Sequence, residues 1–168
     1  QPGAVEDISR AVLEEQFAAN YFGWHELTRA CLPMMRNNGV GRIVQCSSVL
    51  GLGAMKWRGS YNSSKFAIEG LTDTMRLELR GSGIHVVTLN PGPIESQFVP
   101  NARAAFERNV DMTHSHYRAD FERQRQRLDR GGMDRQLPGL GEIGLPDRQH
   151  TTLEVDIRIA QMNGFGKE

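Results

Sequence analysis

Two short, mostly apolar segments on either side of a long helical pattern constrain the fold of this chain more than any other feature. Residues 43–46 read as a buried strand that ends at Ser47 and Ser48. Residues 83–94 read as a second buried strand that runs into a Pro-Gly turn at Pro91-Gly92. Because a helix between two strands of one sheet forms a crossover connection, the strands are predicted to be parallel and adjacent. The order of elements therefore predicts an α/β fold.

The predicted helices lie before, between and after these strands. Residues 10–37 carry apolar side chains at helical spacing, and Pro33 predicts a kink near the end of that helix. Residues 61–80 predict the second helix, which the glycines at 81 and 83 would stop. Residues 101–128 mix a few aromatic and aliphatic side chains with many charged ones, a pattern that predicts one or two surface helices.

Three polar residues near the end of the first strand could move a proton to or from a carbonyl oxygen. Ser48 follows the strand, and Tyr61 and Lys65 lie four residues apart on the second helix. Because neighbours at i and i+4 share a helix face, the Lys65 ammonium would help the Tyr61 phenol to ionise while Ser48 donates to the substrate oxygen. A lone Tyr-x-x-x-Lys also occurs by chance, so a half-buried tyrosine beside a solvated lysine is the alternative for this pair.

Several further motifs occur in a fixed order over residues 5–98. Asn20 lies in the first helix, 28 residues before Ser48, and the second strand runs into Pro91-Gly92-Pro93-Ile94. With these motifs and with Tyr61 and Lys65, the chain resembles the short-chain dehydrogenase/reductase family, which has an Asn–Ser–Tyr–Lys tetrad and a Pro-Gly loop. The resemblance implies a Rossmann-like, doubly wound parallel sheet, of which this chain carries only the second half, and NAD or NADP as the cofactor.

The resemblance also implies a role for each catalytic candidate. Tyr61 would be the general acid for carbonyl reduction or the base for alcohol oxidation, and Ser48 would polarise the substrate carbonyl. Lys65 would assist the phenol and hold the nicotinamide ribose. Asn20 would lie in a kinked helix and link Lys65 to solvent in a proton relay.

The Pro-Gly loop and the residues after it would contact the cofactor. Besides Tyr61 and Lys65, the resemblance implies contacts from Pro91, Gly92 and Ile94, with the Ile94 backbone meeting the nicotinamide carboxamide. The family has threonine two residues after that isoleucine, whereas this chain has Ser96, which keeps the hydroxyl group. The segment from residue 95 to about residue 129 would form a lid and short helices over the substrate.

The family's Gly-rich phosphate-binding turn has no counterpart in these 168 residues. We therefore expect residues 1–130 to be the carboxyl-terminal part of a family domain. Residues 131–168 are rich in Gly and Pro where a seventh strand would be expected, and they remain an unassigned tail. A chain of this kind is expected not to turn over substrate by itself.

The function that follows is hydride transfer between NAD(P) and a carbonyl or alcohol substrate. The segment 61–70 and the Pro-Gly loop are most similar to members acting on steroids, retinoids or other lipophilic alcohols and aldehydes. Substrate identity and the choice between NAD and NADP stay open. The alternative is a truncated, catalytically inactive member that acts at most as a dimerising partner.

Composition excludes several other classes. Formal net charge is zero with 24% charged residues, and no apolar run reaches the length of a membrane span. Cys31 and Cys46 are predicted to be buried free thiols in a helix and a strand, which favours the cytoplasm over an oxidising compartment. The arginines of residues 118–130 alternate with acidic residues, so a solvated helix is favoured over nucleic-acid binding. We thus expect a small-molecule substrate, no metal despite His114 and His116, no nucleic acid, and a homo-oligomer in the intact parent.

Overall fold

The structure is a computed structural model that describes residues 1–92 and 96–129. Its two strands are parallel, adjacent and paired in register from Gly41 with Ile84 to Cys46 with Leu89. The helices alternate with them as the sequence predicted, which gives part of a Rossmann-like α/β fold. In chain order the elements are α1 (Arg10–Phe17), α2 (Gly23–Asn38), β1 (Gly41–Cys46), α3 (Gly59–Glu78), β2 (Ile84–Leu89), α4 (Phe98–Asn109) and α5 (Arg118–Asp129).

The main core lies between the sheet and helices α2 and α3. Ile84 and Val86 of β2 are buried against Met75 and Leu79 of α3, while α2 contributes side chains to the same layer. Burial of an aliphatic side chain contributes about 1.5–3 kcal/mol, so this layer fixes α3 against the strands. The helix that carries Tyr61 and Lys65 is thereby held over the carboxyl end of β1.

The prediction that both strands are buried holds for only one face of each strand among the described residues. Side chains alternate between the two faces of a strand, and helices cover only one face here. On the other face Val44 is 49% exposed and Leu89 is 56% exposed. Cys46 shares that face and is exposed, which corrects its expected burial, whereas Cys31 on α2 is partly buried; both thiols are free.

The first predicted helix is interrupted around Asn20, where the family resemblance implies a kink. Residues Ala18–Phe22 form a π-helical turn between α1 and α2, while α2 continues through Pro33 to Asn38. A π turn adds one residue to a helical turn and displaces the carbonyl groups around it, and such turns are frequent at functional sites. The π-helical turn therefore supports Asn20, which lies within it, as a candidate functional residue.

The turn into β2 requires glycine at position 83. Gly83 has φ of 76°, and a Cβ there would collide with the carbonyl oxygen of Gly39. Gly39 itself ends α2 in the left-handed conformation, and Gly41 N donates to Gly83 O across the same contact (3.2 Å). The starts of β1 and β2 are thus joined by a close backbone approach that only glycine allows.

A second, smaller core joins the first residues of the chain to α4 and α5. Ala4, Val110 and Phe121 are buried together, and Trp57 packs against this cluster. The Trp57 ring lies 5.1 Å from the Phe121 ring in an edge contact. The prediction of one or two helices within residues 101–128 is confirmed, since the structure has two there, α4 and α5. Residues 131–168, including the expected seventh-strand region, lie outside the described residues.

Candidate active site

Lys65 is anchored at the carboxyl end of β1. It lies on α3 with only 7% of its surface exposed, and its Nζ donates a hydrogen bond to the Cys46 carbonyl oxygen (2.8 Å). Burial lowers the pKa of Lys65, while the charges of Cys46 and Glu69 oppose that shift. The structure therefore excludes a solvated surface lysine, the alternative that the sequence left open.

Tyr61 lies one helical turn before Lys65 and is half-buried. Lys65 Nζ is 5.6 Å from the centre of the Tyr61 ring, and the ring of Phe98 from α4 meets Tyr61 edge-on at 5.5 Å. The phenol thus lies between a buried ammonium and an aromatic side chain. The Lys65 ammonium is thus within the range of a cation–π contact with the Tyr61 ring.

Ser48 is placed by a short turn that follows β1. It is 7% exposed, and its Oγ accepts a hydrogen bond from Leu50 N (3.2 Å) at the start of the 3₁₀ turn Val49–Gly51. Because a serine hydroxyl donates one hydrogen and accepts two, this contact leaves the hydroxyl hydrogen for a substrate oxygen. Asn62, which follows Tyr61, donates from Nδ2 to Leu50 O (3.3 Å) and Gly53 O (2.8 Å), so the Ser48 turn is fastened to α3.

Asn90 connects the ends of the two strands to α3. Its Nδ2 donates to Ser48 O (3.1 Å) and to Glu69 Oε1 (2.6 Å). Sequence reasoning missed Asn90, Asn62 and Glu69 as supporting residues. The available signals were the position of Asn90 immediately after a strand and the position of Glu69 four residues after Lys65.

Gly51 allows the Ser48 turn to approach this support. A Cβ at position 51 would lie 2.6 Å from Ser47 Oγ and 3.1 Å from Glu69 Cγ. The first distance is shorter than a Cβ atom tolerates and the second is tight, so any residue larger than glycine would force Ser47 or the turn to shift. The close approach of Gly51 to Glu69 thus lets the Ser48 turn pack directly against α3.

Asn20 meets α3 beside Lys65 and not at Lys65 itself. From the π-helical turn its Nδ2 donates to Ser64 Oγ (3.1 Å), and that hydroxyl donates to Tyr61 O (2.8 Å). Among the described residues no hydrogen bond joins Asn20 to Lys65. The proton relay that the family resemblance implies stays a prediction.

The predicted cofactor-loop residues are described only in part. Pro91 O accepts a hydrogen bond from Val49 N (3.4 Å), which places the loop beside the Ser48 turn. Gly92 is exposed, and no atom lies within 4 Å of the position a Cβ would occupy. Ile94 lies outside the described residues. Ser96 Oγ accepts from Phe98 N (3.2 Å) and so supports the start of α4.

The described residues fit the nicotinamide-ribose end of a dinucleotide. Lys65 has three N–H donors, of which one is used by Cys46 O, and the Tyr61 hydroxyl lies one helical turn away. Gly92 leaves the backbone after β2 open to close approach. In residues 1–92 and 96–129, no group of three or more His, Cys, Asp or Glu side chains could hold a metal ion, and no helix is long and apolar enough to cross a membrane.

The parallel strand pair, with polar side chains gathered at its carboxyl ends and helices alternating with the strands, is part of a Rossmann-like fold. The short chain dehydrogenase family model matches residues 1–106, and the chain belongs to this family. Members of the family use NAD or NADP, which identifies the cofactor class.

Related proteins match over part of their length. An uncharacterized oxidoreductase, YbbO of Escherichia coli strain K12, is 50% identical over 99 residues, covering 59% of this chain and 37% of that protein. Human retinol dehydrogenase 8 is 35% identical over 96 residues, covering 57% of this chain and 31% of that protein. The chain therefore spans about a third of the length of these relatives.

Two solved structures of related proteins also match this chain over part of their length. A short-chain dehydrogenase from Streptomyces avermitilis superposes with a TM-score of 0.56 at 34% identity, covering 58% of this chain and 36% of that one. A putative NAD(P)-dependent gluconate 5-dehydrogenase from Beutenbergia cavernae, solved with NADP bound at low occupancy, gives a TM-score of 0.59 at 30% identity, covering 64% and 43%. These similarities confirm the Rossmann-like fold.

Proposed function

We propose that the protein transfers a hydride between NAD or NADP and a carbonyl or alcohol substrate, with Tyr61 as the proton donor and acceptor. The observation that carries this proposal is the buried Lys65 ammonium, held by Cys46 O beside the Tyr61 ring. When bound, the nicotinamide supplies or accepts the hydride. The chain's own residues handle the accompanying proton and charge.

In the reducing direction, Tyr61 gives its hydroxyl proton to the substrate oxygen as negative charge develops there. Ser48 donates a second hydrogen bond to that oxygen from its fixed turn. The Lys65 charge stabilises the resulting phenolate. In the oxidising direction, the phenolate accepts the alcohol proton and Ser48 holds the oxygen in place.

We extend the proposal to a lipophilic substrate. The ring of Phe98 packs edge-on against Tyr61, which places an apolar side chain beside the phenol. Two of the relatives are named for lipid chemistry, retinol dehydrogenase 8 and a 3-ketodihydrosphingosine reductase from Bacteroides thetaiotaomicron. An apolar surrounding favours substrates that bury hydrocarbon beside the reacting oxygen.

Location and assembly are part of the same proposal. Free thiols at Cys31 and Cys46 are typical of a reducing compartment and support the cytoplasm. Exposed apolar residues on α2 and α3, including Leu27 at 55%, Met34 at 61% and Leu77 at 67%, support assembly with a second copy. Arginines of α5 form ion pairs with Glu122 and Asp120, which supports the expectation that nucleic acid is not a partner.

Replacement of Tyr61 by Phe tests the function directly. The variant loses only the hydroxyl and keeps the ring contact with Phe98, so turnover in the full-length protein should fall by about 10²–10⁴-fold with little loss of cofactor affinity. Absorbance of the reduced nicotinamide measures turnover with a panel of lipophilic alcohols and aldehydes. Tyr117→Phe is the matched control, because Tyr117 packs against Trp57 in the second core.

Ser48→Ala tests the second donor. It should lower turnover by about 10²-fold while cofactor binding stays near normal, because the lost hydrogen bond serves the developing charge. Ser63→Ala on the exposed side of α3 serves as its control. Activity that survives both Tyr61→Phe and Ser48→Ala would refute the proposed chemistry. A full-length wild-type protein without nicotinamide-dependent turnover on any of these substrates would favour the inactive dimerising partner.

A further inference from the structure

Phe98, on the first turn of α4, leaves part of an aromatic ring free beside the proposed acid–base residue. Its ring centre lies 5.5 Å from that of Tyr61, with 66° between the ring planes, yet 50% of the residue is exposed. Single exposed apolar side chains are common on protein surfaces, so the exposure alone carries no argument. The contact with Tyr61 carries it, because it places the free part of the Phe98 ring next to the site of the proposed chemistry.

Both ends of α4 are held, and they fix the position of Phe98. At the start of the helix, Ser96 Oγ accepts a hydrogen bond from Phe98 N (3.2 Å). Towards its other end, the Phe106 ring packs edge-on against Phe121 at 5.0 Å, and Val110 is buried in the second core. A side chain on an anchored helix meets every substrate in the same position, which is what selection between substrates requires.

The proposed chemistry determines where the reacting carbon of the substrate lies. Its oxygen lies at the hydroxyl groups of Tyr61 and Ser48, so the carbon is one bond away from that oxygen and its substituents extend from the same point. The Tyr61 hydroxyl is bonded directly to the ring that Phe98 contacts. A flat group on the reacting carbon can therefore pack against the free part of the Phe98 ring. Two aromatic groups attract each other beyond the effect of buried area, whereas a saturated group gains the area effect alone.

We infer that Phe98 is a specificity-determining residue, whose ring selects substrates with a flat, unsaturated group on the reacting carbon. Among lipophilic alcohols and aldehydes, the site then favours aryl and conjugated compounds over saturated compounds of the same size. This inference rests on the proposed function of Tyr61 and narrows its substrate class. The preference belongs to the ring of Phe98 and not to its apolar character, because any apolar side chain buries saturated hydrocarbon equally well.

The alternative for Phe98 is a purely structural role, in which its ring supports the Tyr61 side chain. Such a role predicts the same loss of turnover with every substrate, because Tyr61 acts on all of them. A role in selection predicts a loss that depends on whether the group beside the reacting carbon is unsaturated. The ratio of kcat/KM between two substrates of equal size therefore separates the two roles.

The test compares benzaldehyde with cyclohexanecarboxaldehyde as substrates of the full-length protein. The two aldehydes carry rings of the same size and differ in unsaturation. Phe98→Leu removes the aromatic ring and should lower the ratio of kcat/KM for benzaldehyde to that for cyclohexanecarboxaldehyde by about 2- to 10-fold relative to wild type. Phe98→Tyr keeps a ring and should retain the wild-type ratio. Phe66→Leu, which removes an exposed phenylalanine from α3, is the control and should leave the ratio unchanged.

The outcomes separate this inference from the proposed function. An unchanged ratio in a folded Phe98→Leu protein, with Tyr61→Phe inactive, overturns the role of Phe98 and leaves the function intact. An equal loss on both aldehydes assigns Phe98 the structural role and also overturns the inference. Activity in Tyr61→Phe overturns the proposed function itself. Phe98→Met replaces the Leu variant if that variant fails to fold, and failure of both variants to fold overturns the inference in favour of the structural role.

Discussion

The side-chain amide of Asn90 donates to the carbonyl oxygen of Ser48 at 3.1 Å, across the carboxyl ends of the two parallel strands. The same amide nitrogen lies 2.6 Å from Glu69 Oε1 on α3. One side chain thus joins the turn that carries the proposed oxyanion donor to the helix that carries the proposed acid–base residue. Its contribution to both stability and turnover can be measured.

Two substitutions of Asn90 should lower stability and turnover to different extents. Asn90→Ala removes the two hydrogen bonds and should reduce the free energy of unfolding by about 1–2 kcal/mol. Asn90→Asp keeps the shape but sets a carboxylate against Glu69 and against Ser48 O, so at neutral pH it should be less stable and less active than Asn90→Ala. Chemical denaturation and turnover measure the order, with exposed Asn101→Ala as control. An aspartate variant that equals wild type would contradict the assigned contacts.

Lys65→Met should impair cofactor binding and turnover together, because one ammonium serves the phenol and the ribose in the proposed site. Stability should also respond to pH. Burial lowers the pKa of Lys65 below its ordinary value of 10.5, so the unfolded chain binds more protons between the folded pKa and 10.5. Wild type should therefore gain stability relative to Lys65→Met as pH rises through that window. Unfolding curves of both proteins over a pH series check the sign, and Lys56→Met is the exposed control.

The contact between Asn20 and Ser64 can be separated from the predicted proton relay. Asn20→Ala and Ser64→Ala each remove the 3.1 Å hydrogen bond, and a double-mutant cycle should give a coupling of about 0.5–1.5 kcal/mol in stability. If Asn20 also acts in a relay through Lys65, Asn20→Ala should lower turnover more than Ser64→Ala does. Equal turnover in the two variants would limit Asn20 to holding the π-helical turn against α3.

Gly83 and Gly81 form a matched pair for testing the close approach between the two strand starts. Both have φ near 80°, at 76° and 79°, so alanine at either site has the same backbone strain of about 1–2 kcal/mol. A Cβ at position 83 also collides with Gly39 O, whereas position 81 has no atom within 4 Å. Thermal unfolding should therefore show Gly83→Ala as clearly less stable than Gly81→Ala. Equal melting temperatures would contradict the approach of Gly39 to Gly83.

The α/β order, the parallel strand pair and the placement of Tyr61 and Lys65 on one helix could be predicted because each depends on local periodicity. Strand alternation, helix spacing and i, i+4 neighbours are properties of a short segment. The contacts of Asn90 with Ser48 and of Asn20 with Ser64 join residues 42 and 44 positions apart, and no local pattern encodes such pairs. The exposure of Cys46 was missed for a related reason, since burial depends on which faces of the sheet are covered.

The residue pattern by itself indicated an irregularity at Pro33, and only the family resemblance implied one at Asn20. Proline removes a backbone donor, so Pro33 was the natural position for a kink. The interruption comes from an extra residue in the turn Ala18–Phe22. None of the side chains in that turn has a type that predicts a π-helical turn.

The register of β1 against β2 links correct folding to function in a way that can be observed. Cys46 pairs with Leu89, so the carbonyl that holds Lys65 and the first residue after β2 are brought to the same level of the sheet. A slip of one residue would reverse the facing of every side chain in the strand and carry Ser48 away from Asn90. Molecules whose strands pair in the wrong register would therefore be inactive even if they are compact. The specific activity of a preparation would then measure the fraction of molecules in which the two strands paired correctly.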